Sequence, residues 1–148
     1  MKDCKIYAHA CDVTSDDSVE TAFKWVDDNL GGCDILVNNA GISKNIGVLE
    51  YDKPMSELSK VIEVNFTGVV RCTRQAFKSM KARNDYGYII NINSILGHNV
   101  LKVHGFKMSV YAGTKHAITA LTQTVRQELK EMQSGKIRIT VILILLLL

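Results

Sequence analysis

Asp34-Ile35-Leu36-Val37-Asn38-Asn39-Ala40-Gly41 sets a compact apolar run directly against a turn of small and polar residues. A short apolar run without alternation reads as a strand buried on both faces, and Asn and Gly are the usual residues of the turn that ends it. The same arrangement recurs downstream. Asp85-Tyr86-Gly87 turns the chain into Tyr88-Ile89-Ile90-Asn91-Ile92, and Ser134-Gly135 precedes an apolar run from Ile137 to Leu143. Upstream, Ile6 to Cys11 reads as a further short strand that ends at Asp12.

Between these runs the apolar period changes to that of a helix. Val19, Ala22, Phe23, Val26 and Leu30 form one face, opened by Thr14-Ser15-Asp16-Asp17 and closed by Gly31-Gly32. Pro54 suits the first turn of the next helix, whose face runs Ile62, Phe66, Val69, Val70, Thr73, Ala76, Phe77 and Met80. A third face is Ala117, Ile118, Leu121, Val125 and Leu129, with Ser109 as the expected cap. Strands that alternate with helices predict an α/β fold: a parallel sheet covered on both faces, in a single domain over residues 1–148.

The bulk composition narrows the function classes. The chain has 148 residues, 47% of them apolar, and a net charge of +3. Its 18 basic residues are interspersed with 15 acidic ones, so no basic stripe points to nucleic acid or to a membrane surface. Cys4, Cys11, Cys33 and Cys72 have neither metal-site spacing nor a regular disulfide framework. Reduced thiols in a cytoplasmic protein without a metal are expected. Met1-Lys2-Asp3-Cys4-Lys5 leads into no apolar run of signal-peptide length. The run from Ile139 to Leu148 is about half the ~20 residues a membrane span needs, so a buried strand with a sticky leucine tail is expected.

Several residues carry chemistry only in combination. Tyr111-Ala112-Gly113-Thr114-Lys115 places a phenol and an ammonium one helical turn apart. Asn38 to Gly41 lie where open parallel sheets gather ligands, at the carboxyl end of a strand. Asp12 either binds a ligand or caps the helix after it, and Asn65 is either functional or a poor helix former held by packing. Ser94, in Asn93-Ser94-Ile95-Leu96-Gly97, is a hydroxyl donor or an ordinary loop serine. His98, His104 and Lys107 read as solvated residues of the following loop.

In this order and on this strand–helix frame, the motifs resemble the short-chain dehydrogenase/reductase family from Ile6 to Val141. The resemblance implies a Rossmann-type doubly wound sheet, of which this chain holds the third to sixth strands and lacks the first, second and seventh. It implies that Asp12 and Val13 contact the adenine ring and that Asn38, Asn39, Ala40 and Gly41 lie beside its ribose. Asn65, Ser94, Tyr111 and Lys115 become the catalytic set. Tyr111 exchanges the proton on the substrate oxygen, and Ser94 hydrogen-bonds the same oxygen. Lys115 holds the nicotinamide ribose and favours the phenolate, and Asn65 anchors a water that links Lys115 to solvent. The implied cofactor is NADP or NAD, and the substrate a small alcohol, ketone or aldehyde. Within the family, the stretch from Ser94 to Thr122 is most similar to insect cytosolic enzymes described as farnesol dehydrogenases.

The same resemblance shows what these residues do not contain. No Thr-Gly-x-x-x-Gly-x-Gly stretch is present, so no backbone cradle for a pyrophosphate is expected. Pro54 is the sole proline, which leaves no Pro-Gly turn after the last strand. In the strand order 3-2-1-4-5-6, the missing strands leave a gap of about 14 Å at ~4.8 Å per strand. Ile6–Cys11 therefore pairs with Asp34–Asn38, floats free, or borders something else that fills the space. Little or no activity is expected of the chain alone. The alternative is a non-enzymatic module that pairs with a copy of itself or a full-length relative through helices at Asn65–Ala82 and Tyr111–Glu131.

Overall fold

The computed structural model describes residues 4–102 and 104–144. Helix α1, Asp16–Leu30, starts where Ser15 accepts a hydrogen bond from the Ser18 amide and two aspartates occupy the first turn. It ends at Gly31, whose φ of 83° requires a left-handed residue. Strand β1, Ile35–Asn38, follows. Helix α2, Met55–Ile62, begins after Pro54 and passes through a single π-helical turn, Glu63–Thr67, into α3, Gly68–Arg83. Strand β2, Gly87–Ser94, a 3-10 turn at Ile95–Gly97, helix α4, Ser109–Glu131, and strand β3, Ile137–Ile144, complete the order.

The three strands form one parallel sheet in the order β1-β2-β3, with Leu36 opposite Ile89 and Ile89 opposite Ile139. Those three side chains face α3 and α4, where a core of Cys33, Ala76, Met80, Ile89, Leu129, Ile137 and Ile139 closes. Phe23 and Val26 of α1 pack against its margin. The fold is the expected partial α/β sheet.

Three expectations are corrected here. Ile6–Cys11 is exposed and has no strand partner among the described residues, so it forms no strand. Tyr7 and His9 instead lie against Trp25 of α1, with ring centroids 5.7 Å and 5.3 Å away. The sheet is covered on one face rather than two: Ile35 and Val37 of β1 and Ile142 of β3 stay largely exposed. Ser109 does not cap α4 either. It enters the helix with a φ of 39°, and its buried hydroxyl has no partner. The leucine tail lies outside the described residues.

Candidate active site

Carboxyl ends of β1 and β2 meet the start of α4, and the candidate residues collect there. Ser94 is the last residue of β2 and is buried, its hydroxyl accepting the Leu96 amide at 3.2 Å. Gly97 lets α4 approach: a Cβ there would lie 2.6 Å from Asn93 Nδ2 and 2.7 Å from the Lys115 carbonyl oxygen. Tyr111 and Lys115 occupy successive turns of α4, the ammonium 5.7 Å from the phenol ring centroid. Lys115 is 8% exposed, and its Nζ donates to the Ile92 carbonyl at 3.0 Å. No carboxylate pairs with it among the described residues.

Burial governs both titrations. Desolvation pushes the Tyr111 phenol above its ordinary value, and the Ser94 hydroxyl beside it opposes that rise. Desolvation also lowers the Lys115 ammonium. Both shifts favour the neutral form of the side chain concerned.

Asn65 sits in the π turn, which re-aims its side chain inward. Its Oδ1 accepts the Ile42 amide at 2.8 Å and its Nδ2 donates to the Ile42 carbonyl at 2.8 Å. The same Nδ2 donates to Thr114 Oγ1 at 3.2 Å, and Thr114 donates onward to the Tyr111 carbonyl at 2.7 Å. The asparagine therefore pins the loop after β1 and reaches the Tyr111–Lys115 turn through Thr114. That link was not read from the sequence, although Thr114 lies inside the quoted motif.

A second hydrogen-bond chain runs beneath the site. Asn38 Nδ2 donates to Thr73 Oγ1 at 3.1 Å and Asn91 Oδ1 at 2.8 Å, and Asn91 Nδ2 donates to Thr122 Oγ1 at 3.0 Å. Asn93 donates to the Lys115 carbonyl at 3.1 Å and to Thr119 Oγ1 at 3.0 Å. The Asn38 side chain is thus turned into the core, with both amide hydrogens engaged. Asn91 and Asn93 were missed as site-supporting residues. Their parity with Ile89 on β2 was the available signal.

The adenine-side candidates partly converge. Val13, Asn38, Asn39 and Ala40 line one small cavity with Gly68 and Cys72, of about 70 Å³. Gly41 stands near Asn65, where a Cβ would meet its Oδ1 at 3.6 Å. Asp12 is exposed and accepts both the amide and the hydroxyl of Thr14, at 2.9 Å and 2.8 Å, which holds its carboxyl below the usual range. Asp12 does not cap α1, a role that Ser15 takes, and its carboxyl instead holds Thr14 in the turn before the helix. The donor set at Ser94, Tyr111 and Lys115 fits a nicotinamide ribose and a reacting oxygen, whereas no described residue forms a pyrophosphate cradle.

A family model described as short chain dehydrogenase matches residues 1–145. The chain belongs to the short-chain dehydrogenase family. Among curated relatives, a farnesol dehydrogenase of Aedes aegypti is 41% identical over 137 residues, which are 92% of this chain and 54% of the relative. A human protein named dehydrogenase/reductase SDR family member 11 is 39% identical over 127 residues, 85% of this chain and 47% of its own length. The chain spans about half the length of the curated relatives it matches. A crystal structure of a short chain dehydrogenase from Mycobacterium smegmatis superposes with a TM-score of 0.80 at 30% identity, covering 92% of this chain and 52% of that one. A metagenomic short-chain oxidoreductase in complex with NADP superposes with a TM-score of 0.77 at 30% identity, over 91% and 57% respectively. This short-chain dehydrogenase chain thus shares the fold of its relatives over nearly all its length. Among the described residues no helix is long and apolar enough to cross a membrane.

Proposed function

We propose that this chain carries the proton-transfer half of a site that moves hydride between NAD(P)(H) and an alcohol or carbonyl. The supporting observation is the meeting of Ser94, Tyr111 and a buried Lys115, which has no carboxylate partner among the described residues, where the end of β2 meets the start of α4. The bound cofactor supplies or accepts the hydride. Tyr111 gives or takes the proton at the substrate oxygen, Ser94 hydrogen-bonds that oxygen as charge develops on it, and Lys115 holds a ribose hydroxyl near the phenol. Asn65 acts by fixing the Ile42 loop and, through Thr114, the turn that carries Tyr111. The name of the Aedes aegypti relative makes an isoprenoid alcohol the first substrate to try.

In this reading the isolated chain is a cytoplasmic protein with little or no turnover. Two missing charge-assisted hydrogen bonds to a pyrophosphate, at about 1.5–3 kcal/mol each, weaken cofactor binding by about 10²–10⁴-fold. NADPH fluorescence titration of the isolated chain should show no saturable binding at micromolar cofactor. A chimera in which this chain replaces the matched 137 residues of the Aedes aegypti relative should oxidise alcohols. A folded chimera that binds NADPH but turns nothing over refutes the reading.

A second reading rests on a different observation. An open cleft of about 380 Å³ between α3 and α4 exposes Val70, Phe77, Leu121 and Val125. This suits a non-enzymatic module that pairs with a full-length relative through the helices at Asn65–Ala82 and Tyr111–Glu131. Co-expression with such a relative should give a co-eluting complex that Phe77→Asp disrupts. Separate elution of the unmodified pair excludes it.

A further inference from the structure

Helix α4 carries Tyr111 in its first turn, and that turn begins poorly held. Ser109 enters it at a φ of 39°, in the left-handed region that a residue with a Cβ disfavours, and its buried hydroxyl has no partner. Met108 before it provides no side-chain cap. A helix start without a cap leaves its first amides short of partners. The Tyr111 amide closes the turn locally by donating to the Met108 carbonyl at 2.9 Å. Asn65 adds a hold through Thr114, three residues further on. The strained entry itself needs support from outside α4.

A cluster of polar contacts between two loops supplies that support. The first loop, 39–54, follows β1, and the second stretch, 104–108, leads into α4. Asn45 Oδ1 accepts the Lys107 amide at 2.8 Å, and its Nδ2 reaches the Gly105 carbonyl at 3.5 Å. Lys107 Nζ pairs with Glu50 Oε1, while Glu50 Oε2 accepts the Gly47 amide at 2.6 Å. The Lys107 stem lies along Gly47, where a Cβ would come within 3.3 Å of Lys107 Cδ. The first loop is also anchored three residues before Asn45, where Asn65 bonds both the amide and the carbonyl of Ile42. By itself Lys107 reads as a solvated loop residue, and its partners lie 62 and 57 residues upstream.

We propose that Asn45, Glu50 and Lys107 are positioning residues: they clip the loop after β1 to the entry of α4 and so hold the turn that carries Tyr111. The inference rests on the proton-transfer role proposed for Tyr111. Magnitudes separate this role from a merely stabilising one. The ion pair is partly exposed, with the Lys107 side chain 54% and the Glu50 side chain 30% accessible, so it adds little to global stability. A reacting group displaced by about 1 Å, by contrast, can lose ~10²-fold in rate. Loss of the clip should therefore appear in the first turn of α4 and in kcat before it appears in unfolding.

The test uses the double variant Asn45→Ala/Glu50→Gln, which removes the clip and leaves Asn65, Ser94, Tyr111 and Lys115 unchanged. In the full chain, the Tyr111 and Ala112 amides should exchange at least tenfold faster than in the parent, while the urea midpoint barely moves. In the chimera with the Aedes aegypti relative, kcat should fall at least tenfold with KM within threefold. Lys107→Met should follow the double variant in both readouts, and Lys107→Arg, which keeps the charge, should stay close to the parent. Unchanged exchange at Tyr111 and Ala112 overturns the proposal. So does an active chimera whose kcat ignores the double variant, or a Lys107→Arg chain that behaves like Lys107→Met. Should the double variant fail to fold, the two Lys107 variants decide alone. Exchange reads the hold on α4 without turnover, so an inactive parent chimera would sink the proposed activity and leave exchange to decide the clip.

Discussion

Exchanging Tyr111 for Phe in the chimera lowers kcat by about 10³-fold, the middle of the range for loss of a positioned proton donor. KM should stay within about threefold, because the ring keeps its place beside Lys115 and only the hydroxyl leaves. Steady-state rates with a fixed alcohol across pH check both numbers. A loss below tenfold would mean that another group moves the proton. The isolated chain gives the same substitution a second readout. Burial raises the phenol pKa, so the unfolded state loses this proton first as pH climbs past about 10. The stability that the neutral phenol contributes is therefore intact below that pH and is lost as pH rises toward the folded value. The Tyr111→Phe chain lacks this part of the alkaline decline. Lys115 slopes the other way, since its lowered pKa makes its burial less costly as pH rises. Comparing the variant with its parent cancels the lysine and isolates the phenol.

Asn91→Ala should destabilise the chain by about 3 kcal/mol, read from urea unfolding. Asn91 is 1% exposed and joins β1 to α4 by taking a hydrogen from Asn38 and giving one to Thr122. Alanine leaves both neighbours short of a partner in a place water does not reach, and adds a void. Asn38→Ala removes one end of the same chain, and the double variant should cost less than the sum of the singles. A change below about 1 kcal/mol for Asn91→Ala would show that the hydrogen-bond chain does not hold β1 in place.

Much of this was legible in the sequence because the signals are local. The spacing of Val19, Phe23 and Val26 fixes a helix face from one turn to the next, and Ser15 and Gly31 mark its ends. Ser94, Tyr111 and Lys115 could be brought together because their order on strand and helix sets their positions once the crossover is parallel. Ile6–Cys11 shows the limit. Its composition suits a strand, but a strand exists only where another offers backbone hydrogen bonds, and that partner cannot be read from the segment itself. The expectation of cover on both faces failed for the same reason. Ser109 failed more locally: a serine before a helical face promises a cap, but the backbone here takes a φ of 39° and leaves the hydroxyl unpartnered. The motif that contains Asn38 says nothing of its side-chain partners, whereas strand parity with Leu36 turns the amide toward Thr73 and Asn91.

The order β1-β2-β3 also bears on how the chain assembles. Each strand pairs with the next in sequence, and the contact from Asn38 to Asn91 closes a span of 53 residues. Loop-closure entropy grows only as the logarithm of length, about 0.6 kcal/mol per doubling. More important is which loops must close at all. The pairings of β1 with β2 and of β2 with β3 all close between Ile35 and Ile144. The three strands with α3 and α4 can therefore collapse as a nucleus before Ile6–Cys11 settles against Trp25 of α1.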